Sequence, residues 1–333
     1  MSRTILKGGI TVLGLILAHA GIAQARTDAE TKAIVIRWNT VAFMKPNPAE
    51  AAKLTAPEFV DHDGPVAYDG IMKMIKQMAS QPARPGGGGG PPPPNLTVAH
   101  GDYVLLMTEQ NTPDPTAPGK TYVADNFDLF RVNAEGKVAE HWDNFTKSAK
   151  PGGPPGGGLP AVTDDAGADD AAGNLSPADH KRTDAQTIAI VEKFNADAFT
   201  PAGNKQALAS DMSEDFYEHH PPSGTPEGTK AQFLEHFGPD APKRSGPPPG
   251  APNGGAGSTP SGPPGPFLTL PFGDYVLLVA KQSLPDPTAA GKNYDAFGFD
   301  LFRVNNHDQV AEHWDNGTKR APGAGAPGGP PPV

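Results

Sequence analysis

Residues 101 to 147 align without a gap onto residues 273 to 319, an offset of 172 positions, and 32 of the 47 residue pairs are identical. Agreement at that level lies far beyond chance, so the chain must fold as two copies of one unit. Any function should then rest on something each copy carries. The densest part runs from Phe127 to Asn133 and from Ala139 to Asn144, and it returns as Phe299 to Asn305 and Ala311 to Asn316. The opening helix repeats as well, with Arg26-Thr27-Asp28-Ala29 returning as Arg182-Thr183-Asp184-Ala185.

Within each copy the hydrophobic period changes once. Thr27 to Glu30 spells a capping box, and Ala33, Ile34, Ile36, Trp38, Val41 and Ala42 supply an apolar face for a first helix. Thr183 to Gln186 opens its counterpart, which carries Ile188, Ile190, Val191, Phe194 and Phe199. Short helical stretches follow around Ala51 to Leu54, from Gly70 to Met78 and from Gly228 to Phe237. From Leu96 the pattern becomes strand-like, with runs at 96–98, 102–109, 122–132 and 138–144. Asn133 to Gly136 forms a hairpin turn in which Gly supplies the unusual dihedral, and Asn305 to Asp308 takes its place in the second copy. Helices followed by antiparallel strands predict an α+β unit. Three helices against a strongly curved sheet would make an open cone with a pocket inside.

The first 25 residues read as an export signal. Arg3 and Lys7 form a basic start, residues 10 to 17 an apolar run too short for a membrane anchor, and Ala23-Gln24-Ala25 a cleavage site. A secreted or periplasmic bacterial protein of 308 residues would result. Removing Arg3 and Lys7 from the 27 bases leaves 25 against 37 acids, a net charge near −12 that argues against nucleic acid or an anionic membrane as partner. The chain contains no cysteine, which excludes disulfides, thiol chemistry and thiolate metal sites. The chain's forty Gly and forty Pro are unevenly spread and concentrate in residues 82–94, 151–160, 242–266 and the tail from Pro322, where few apolar side chains exist to offset backbone ordering. The organisation expected is a signal peptide at 1–25, domains at 26–149 and 182–319, a flexible linker at 150–181 and a Gly/Pro-rich tail at 320–333.

Alternation along the strands selects the candidate chemistry. Asp128, Phe130 and Val132 share one face, so Asp128 is a carboxylate among apolar neighbours, which is costly unless paired. His141 and Asp143 point the same way on the next strand. If that face lines a cavity, Asp128, His141, Asp143 and His62 converge there, and Asp300, His313, Asp315 and His219 form the matching set. Such a set suits general acid–base work, with proton abstraction next to a carbonyl or addition or loss of water as the reaction. The plainer alternatives are that Asp128 and Asp300 pair structurally with Arg131, Arg303 or a backbone group, and that His62 and His219 are satisfied core residues. Arg131 and Arg303 are expected to pair with an acidic residue of a neighbouring strand, and Trp142 and Trp314 to pack in a core or interface.

A metal site is a further option, with His219, His220 and His313 joined by Asp300 or Asp315. The first copy has Asp63 where the second has His220, so that set is not shared, and no metal is expected. Neither copy carries a phosphate loop, a nucleophile elbow, a dinucleotide fingerprint or a His-Glu-x-x-His helix.

Asp128-Leu129-Phe130-Arg131-Val132 followed by Val138 to Asp143 resembles the C-terminal signature of SnoaL-like proteins of the nuclear transport factor 2-like superfamily. Phe59 to His62 and Gly101 to Leu106 are similar to their aromatic-x-x-histidine and glycine-aspartate-x-valine segments, and both recur in the second copy. The resemblance implies three N-terminal helices on a strongly curved mixed sheet, no cofactor, and pairing through the sheet, here as an intramolecular pseudo-dimer. Family members include polyketide cyclases with an Asp acid–base group, isomerases and dehydratases. That pattern would give Asp128 or Asp143 the proton-transfer role, assisted by His62 or His141. The expectation is an exported tandem protein binding a small, largely apolar or carbonyl-containing molecule in each copy. The alternatives are a cofactor-free lyase or isomerase, or a structural or surface-interaction protein.

Overall fold

A computed structural model describes residues 26–62, 66–81, 94–113, 119–144, 182–199, 204–219, 228–236, 267–286, 289 and 291–315. The expected signal peptide, the linker at 150–181, the tail at 320–333 and most of the Gly/Pro stretches lie outside these residues. The first half contains helix α1 (Asp28–Asn39), continued by a π-helical turn (Thr40–Met44), then α2 (Pro48–Leu54), strands β1 (Thr55–Asp61) and β2 (Val66–Ala67), and α3 (Tyr68–Ser80). Strands β3 (Leu96–His100), β4 (Tyr103–Pro113), β5 (Thr121–Val132) and β6 (Val138–Asp143) complete it. The second half follows the same order with α4 (Asp184–Phe199), α5 (Lys205–Asp211), β7 (Met212–Glu218), β8 (Gly228–Thr229), α6 (Lys230–His236), β9 (Leu268–Phe272), β10 (Tyr275–Pro285), β11 (Asn293–Val304) and β12 (Val310–Asp315).

The caps form as their residue types dictate. Thr27 accepts from the Glu30 backbone N–H while the Glu30 carboxylate accepts from the Thr27 backbone N–H, satisfying two otherwise orphaned donors. Gly136 takes a φ of 74° in the β5–β6 turn, and Asp308 adopts 60° at the corresponding corner, a conformation Asp tolerates better than most side chains.

Each half has an open six-stranded sheet. Their orders are β2-β1-β6-β5-β4-β3 and β8-β7-β12-β11-β10-β9, with β1–β6 and β7–β12 parallel and the other pairs antiparallel. A strand at residues 55–61 between two helices was not expected from the sequence. It is this strand that makes the sheet mixed and lets the chain's early part reach β6.

Period-2 alternation sorts the strand residues onto two faces. Val104, Leu106, Phe130 and Val132 join Val35, Trp38, Phe59, Ile71 and Ile75 in a core between sheet and helices. At its centre Trp38 Nε1–H donates to Thr55 Oγ1 at 2.9 Å, and Thr55 donates to the Ala51 carbonyl at 2.8 Å, so the buried polar atoms are satisfied. Val276, Leu278, Phe302 and Val304 play the same part beneath Val191, Phe194 and Phe233. The opposite faces meet each other. Leu105, Phe127, Leu129 and Trp142 of the first half share one buried cluster with Leu277, Phe299, Leu301 and Trp314 of the second. Phe127 stacks on Phe299 with centroids 5.6 Å apart.

This arrangement corrects the expected cones. Neither sheet is closed or strongly curved: β4 and β5 run through eleven consecutive pairs from Tyr103↔Arg131 to Pro113↔Thr121 without a register shift, and both sheet ends stay open. The physical reason lies in the second face. A sheet covered by helices on one side can bury its other side by rolling up or by facing another sheet, and here the two halves cover each other. Register shifts are confined to Arg131/Val132, Thr55/Val60 and their counterparts.

Candidate functional site

The helix-facing side of each sheet gathers the polar residues. Phe130 and His141 are directly paired across β5 and β6, and their rings stack at 4.7 Å. That stacking holds the imidazole flat against an apolar wall. His141 Nε2 lies 3.1 Å from Asp128 Oδ1, and Nδ1 lies 3.3 Å from Asp61 Oδ1 on β1. Asp61 pairs in register with His141 through the parallel β1–β6 ladder. Asp143 stands opposite Asp128 in the β5–β6 register, and the donor atoms of Asp128, His141 and Asp143 lie within 4.8 Å of one another.

Burial and charge then set the protonation. Burial disfavours an imidazolium, but the hydrogen bonds and negative charges of Asp128 and Asp61 outweigh it and hold His141 well above the usual histidine value. Burial pushes the Asp128 carboxyl up, only partly offset by His141. The group is therefore biased towards an imidazolium that donates N–H from both nitrogens, beside a carboxyl that burial makes a better proton acceptor than a free aspartate.

The second half repeats the group with one substitution and a different exposure. Glu218 replaces Asp61, is 3% exposed as a residue, and receives His313 Nδ1–H at 2.6 Å. His313 is likewise raised well above its usual value, burial being overcome by Glu218 and Asp300. Phe302 stacks on the imidazole at 4.4 Å, as Phe130 does in the first half. Asp300 Oδ1 lies 3.5 Å from His313 Nε2, an ion-pair distance, yet Nε2 is buried and makes no hydrogen bond. The side chain of Asp300 is 43% exposed, whereas that of Asp128 is 3% exposed.

Of the residues expected to converge, Asp128, His141 and Asp143 do so, as do Asp300, His313 and Asp315 through the same pairing. His62 and His219 do not. His62 lies on the other side of the sheet, stacked on Trp142 at 4.5 Å with its rings nearly parallel, and Nε2 is 2.9 Å from Glu140 Oε2. Its ring also meets Phe297 of the second half edge-on at 6.0 Å. His219 stacks on Trp314 at 4.3 Å and contacts Glu312 at 2.9 Å. Alternation explains the difference: Phe59 faces the helix core, so Asp61 shares its side and His62 falls opposite. Asp61 and Glu218 are thus the residues that sequence reasoning passed over, although two-residue spacing from Phe59 and Phe216 marks them.

The arginines pair as expected, Arg131 with Glu140 and Arg303 with Glu312 on the adjacent strand. Burial would raise Glu312, but His219 and Arg303 prevail and leave it lowered. Trp142 and Trp314 pack between the halves.

As for a metal, Glu218, His313 and Asp315 have donor atoms within 4.8 Å of one another, with Glu218, the counterpart of Asp61, where the first group has Asp128. His219 is turned to the other face, and His220 lies outside the described residues, so the ligand set considered from sequence does not assemble among the described residues. No helix among the described residues is long and apolar enough to cross a membrane.

No protein-family model and no curated protein matches the chain. Among solved structures it is similar to TsrD from Streptomyces laurentii, with 17% identity and a TM-score of 0.24 over 35% of this chain and 89% of that one. It is also similar to a protein named as a candidate polyketide cyclase from Acidithiobacillus ferrooxidans, with 14% identity and a TM-score of 0.24 over 35% of this chain and 89% of that one.

Proposed function

We propose that the chain is a tandem SnoaL-like protein performing cofactor-free acid–base chemistry, of the lyase or isomerase kind, on a small, largely apolar carbonyl compound. The observation that carries this reading is the buried contact line of Asp128, His141 and Asp61, with Asp300, His313 and Glu218 as its counterpart. A carboxylate next to an imidazolium can divide the work of enolisation. The carboxylate takes a proton from the carbon beside the carbonyl, forming a carboxyl O–H bond. The electron pair of the broken C–H bond moves into the enolate, whose oxygen accepts a hydrogen bond from the imidazolium N–H. Returning the proton to carbon restores the carboxylate, so no outside reactant is needed.

Secretion or periplasmic location follows from the N-terminal segment, and residues 26–149 and 182–319 form the two units. A binding role without catalysis is the second reading. It is favoured in the first half by His141, whose two ring nitrogens are both engaged by carboxylates.

Exchange of α-protons tests the chemistry without the natural substrate. The full chain is incubated with 2-tetralone in deuterium oxide, and loss of the α-proton signals is followed by proton NMR. Exchange about 100-fold above the buffer rate is expected, reduced to that rate in the Asp128→Asn/Asp300→Asn double variant. Wild-type exchange at the buffer rate, or an unaffected double variant, leaves binding as the function.

A further inference from the structure

The two halves hold the same residues in different states, and the difference is chemical. In the first half every polar atom of the imidazole is engaged: Nε2 by Asp128 at 3.1 Å and Nδ1 by Asp61 at 3.3 Å, with the Asp128 side chain only 3% exposed. In the second, Glu218 is one methylene longer than Asp61 and takes Nδ1 at 2.6 Å. The Nε2 atom is left buried without a hydrogen bond, 3.5 Å from an Asp300 whose side chain is 43% exposed. A buried N–H that reaches its carboxylate only at ion-pair distance is short of a full hydrogen bond, and such groups are uncommon in folded proteins.

We propose that the ligand binds in the second half only, with His313 Nε2–H donating to a neutral carbonyl oxygen beside Asp300, and that the first half is a closed structural copy. The Glu218 carboxylate takes the Nδ1 side, and the raised affinity of His313 for its proton favours an N–H at Nε2 as well. Neutrality of the ligand follows from the partly exposed Asp300, whose carboxylate beside Nε2 repels an anion. The surroundings of Asp300 are apolar: the buried Leu278 is paired with it across β10 and β11, and the buried Phe302 stacks on the imidazole. For its chemistry the assignment rests on the acid–base reading above, whereas the binding it describes is measured separately.

The test uses the full chain labelled with nitrogen-15 histidine, titrated with 2-tetralone and, as the anionic arm, 2-naphthoate. The His313 Nε2 resonance, assigned through His313→Gln and His141→Gln, is expected to move with 2-tetralone while that of His141 stays fixed. Should His313→Gln fail to fold, Asp300→Asn at its exposed position identifies the resonance by its shift. In the deuterium exchange assay Asp300→Asn is expected to cut the rate at least tenfold. Equal movement of both histidines, movement of neither up to the solubility of 2-tetralone, tighter binding of 2-naphthoate, or exchange above the buffer rate that Asp300→Asn leaves unchanged overturns the proposal. A selective His313 shift in a protein that exchanges no α-protons sinks the catalytic reading and leaves this one standing.

Discussion

Asp61 and His141 sit directly opposite each other where β1 and β6 run in parallel, and 3.3 Å separates the carboxylate Oδ1 from the imidazole Nδ1. Parallel pairing is what makes this possible, because it lays a strand from the helical part of the chain against the last strand of the sheet. The β7–β12 ladder does the same for Glu218 and His313. Each site is therefore closed by a contact spanning most of its half, so the fold must be complete before the imidazole is held on both sides.

Removing the imidazole should be costly. With Gln in place of His141, Asp128 and Asp61 lose the cation between them, and Asp128 remains buried at 2% exposure. Breaking a buried, charged pair from one side typically costs about 3 kcal/mol. Urea unfolding of His141→Gln is expected to show a loss of that order. A loss under about 1 kcal/mol would mean that water already reaches the carboxylates.

Strand alternation made the site's core readable in the sequence. Asp128, Phe130 and Val132, with His141 and Asp143, share the helix-facing side as their spacing dictates. Two things escaped it. Residues 55–61 sit between helices, and without a strand assignment there the choice between Asp61 and His62 could not be made by face. Sheet curvature also escaped, because it depends on what covers the second face. That cover is Phe299, Leu301 and Trp314 from the other copy, a tertiary fact that no local pattern encodes.

Stability should depend on pH through the two buried histidines. Both have folded-state values raised well above the ordinary histidine value of 6.5. Their contribution is thus fully present below the unfolded value and is lost as pH rises through the raised folded values. His141 faces Asp128 and Asp61, with Asp143 nearby, while His313 faces Glu218 and Asp300, with Asp315 nearby. Burial also raises the Asp128 carboxyl, so its ionisation works in the same direction and lowers stability as pH rises. Urea midpoints should fall as pH rises past neutral, and a His141→Gln/His313→Gln variant should lose most of that slope. An equal slope in the variant would place its origin elsewhere.

Gly228 should not tolerate a side chain. It pairs with Glu218 across β7 and β8, and a methyl group there would overlap the Glu218 Cβ and carbonyl oxygen, with the Glu218 Cα only 2.8 Å away. Since the overlap is with backbone, relief requires moving β8 or the residue that holds His313. Gly228→Ala is expected to destabilise by about 1–3 kcal/mol, as overpacking does, and to shift the His313 imidazole resonances. Unchanged resonances together with an unchanged unfolding midpoint would show that β8 can move aside freely.

The contact between halves can be measured through Phe127 and Phe299. Both are fully buried, and their rings stack at 5.6 Å with 6° between planes. Truncating either should cost about 3–5 kcal/mol, from lost burial and the cavity left behind. The pair term is separable: stacked aromatic pairs contribute about 0.5–1.5 kcal/mol beyond their area. A double-mutant cycle of Phe127→Ala and Phe299→Ala should therefore return a coupling in that range. Because the rings come from different halves, a nonzero coupling would also report that the halves unfold as one unit. Additive losses with two separate unfolding transitions would show instead that the shared cluster does not tie the halves together in solution.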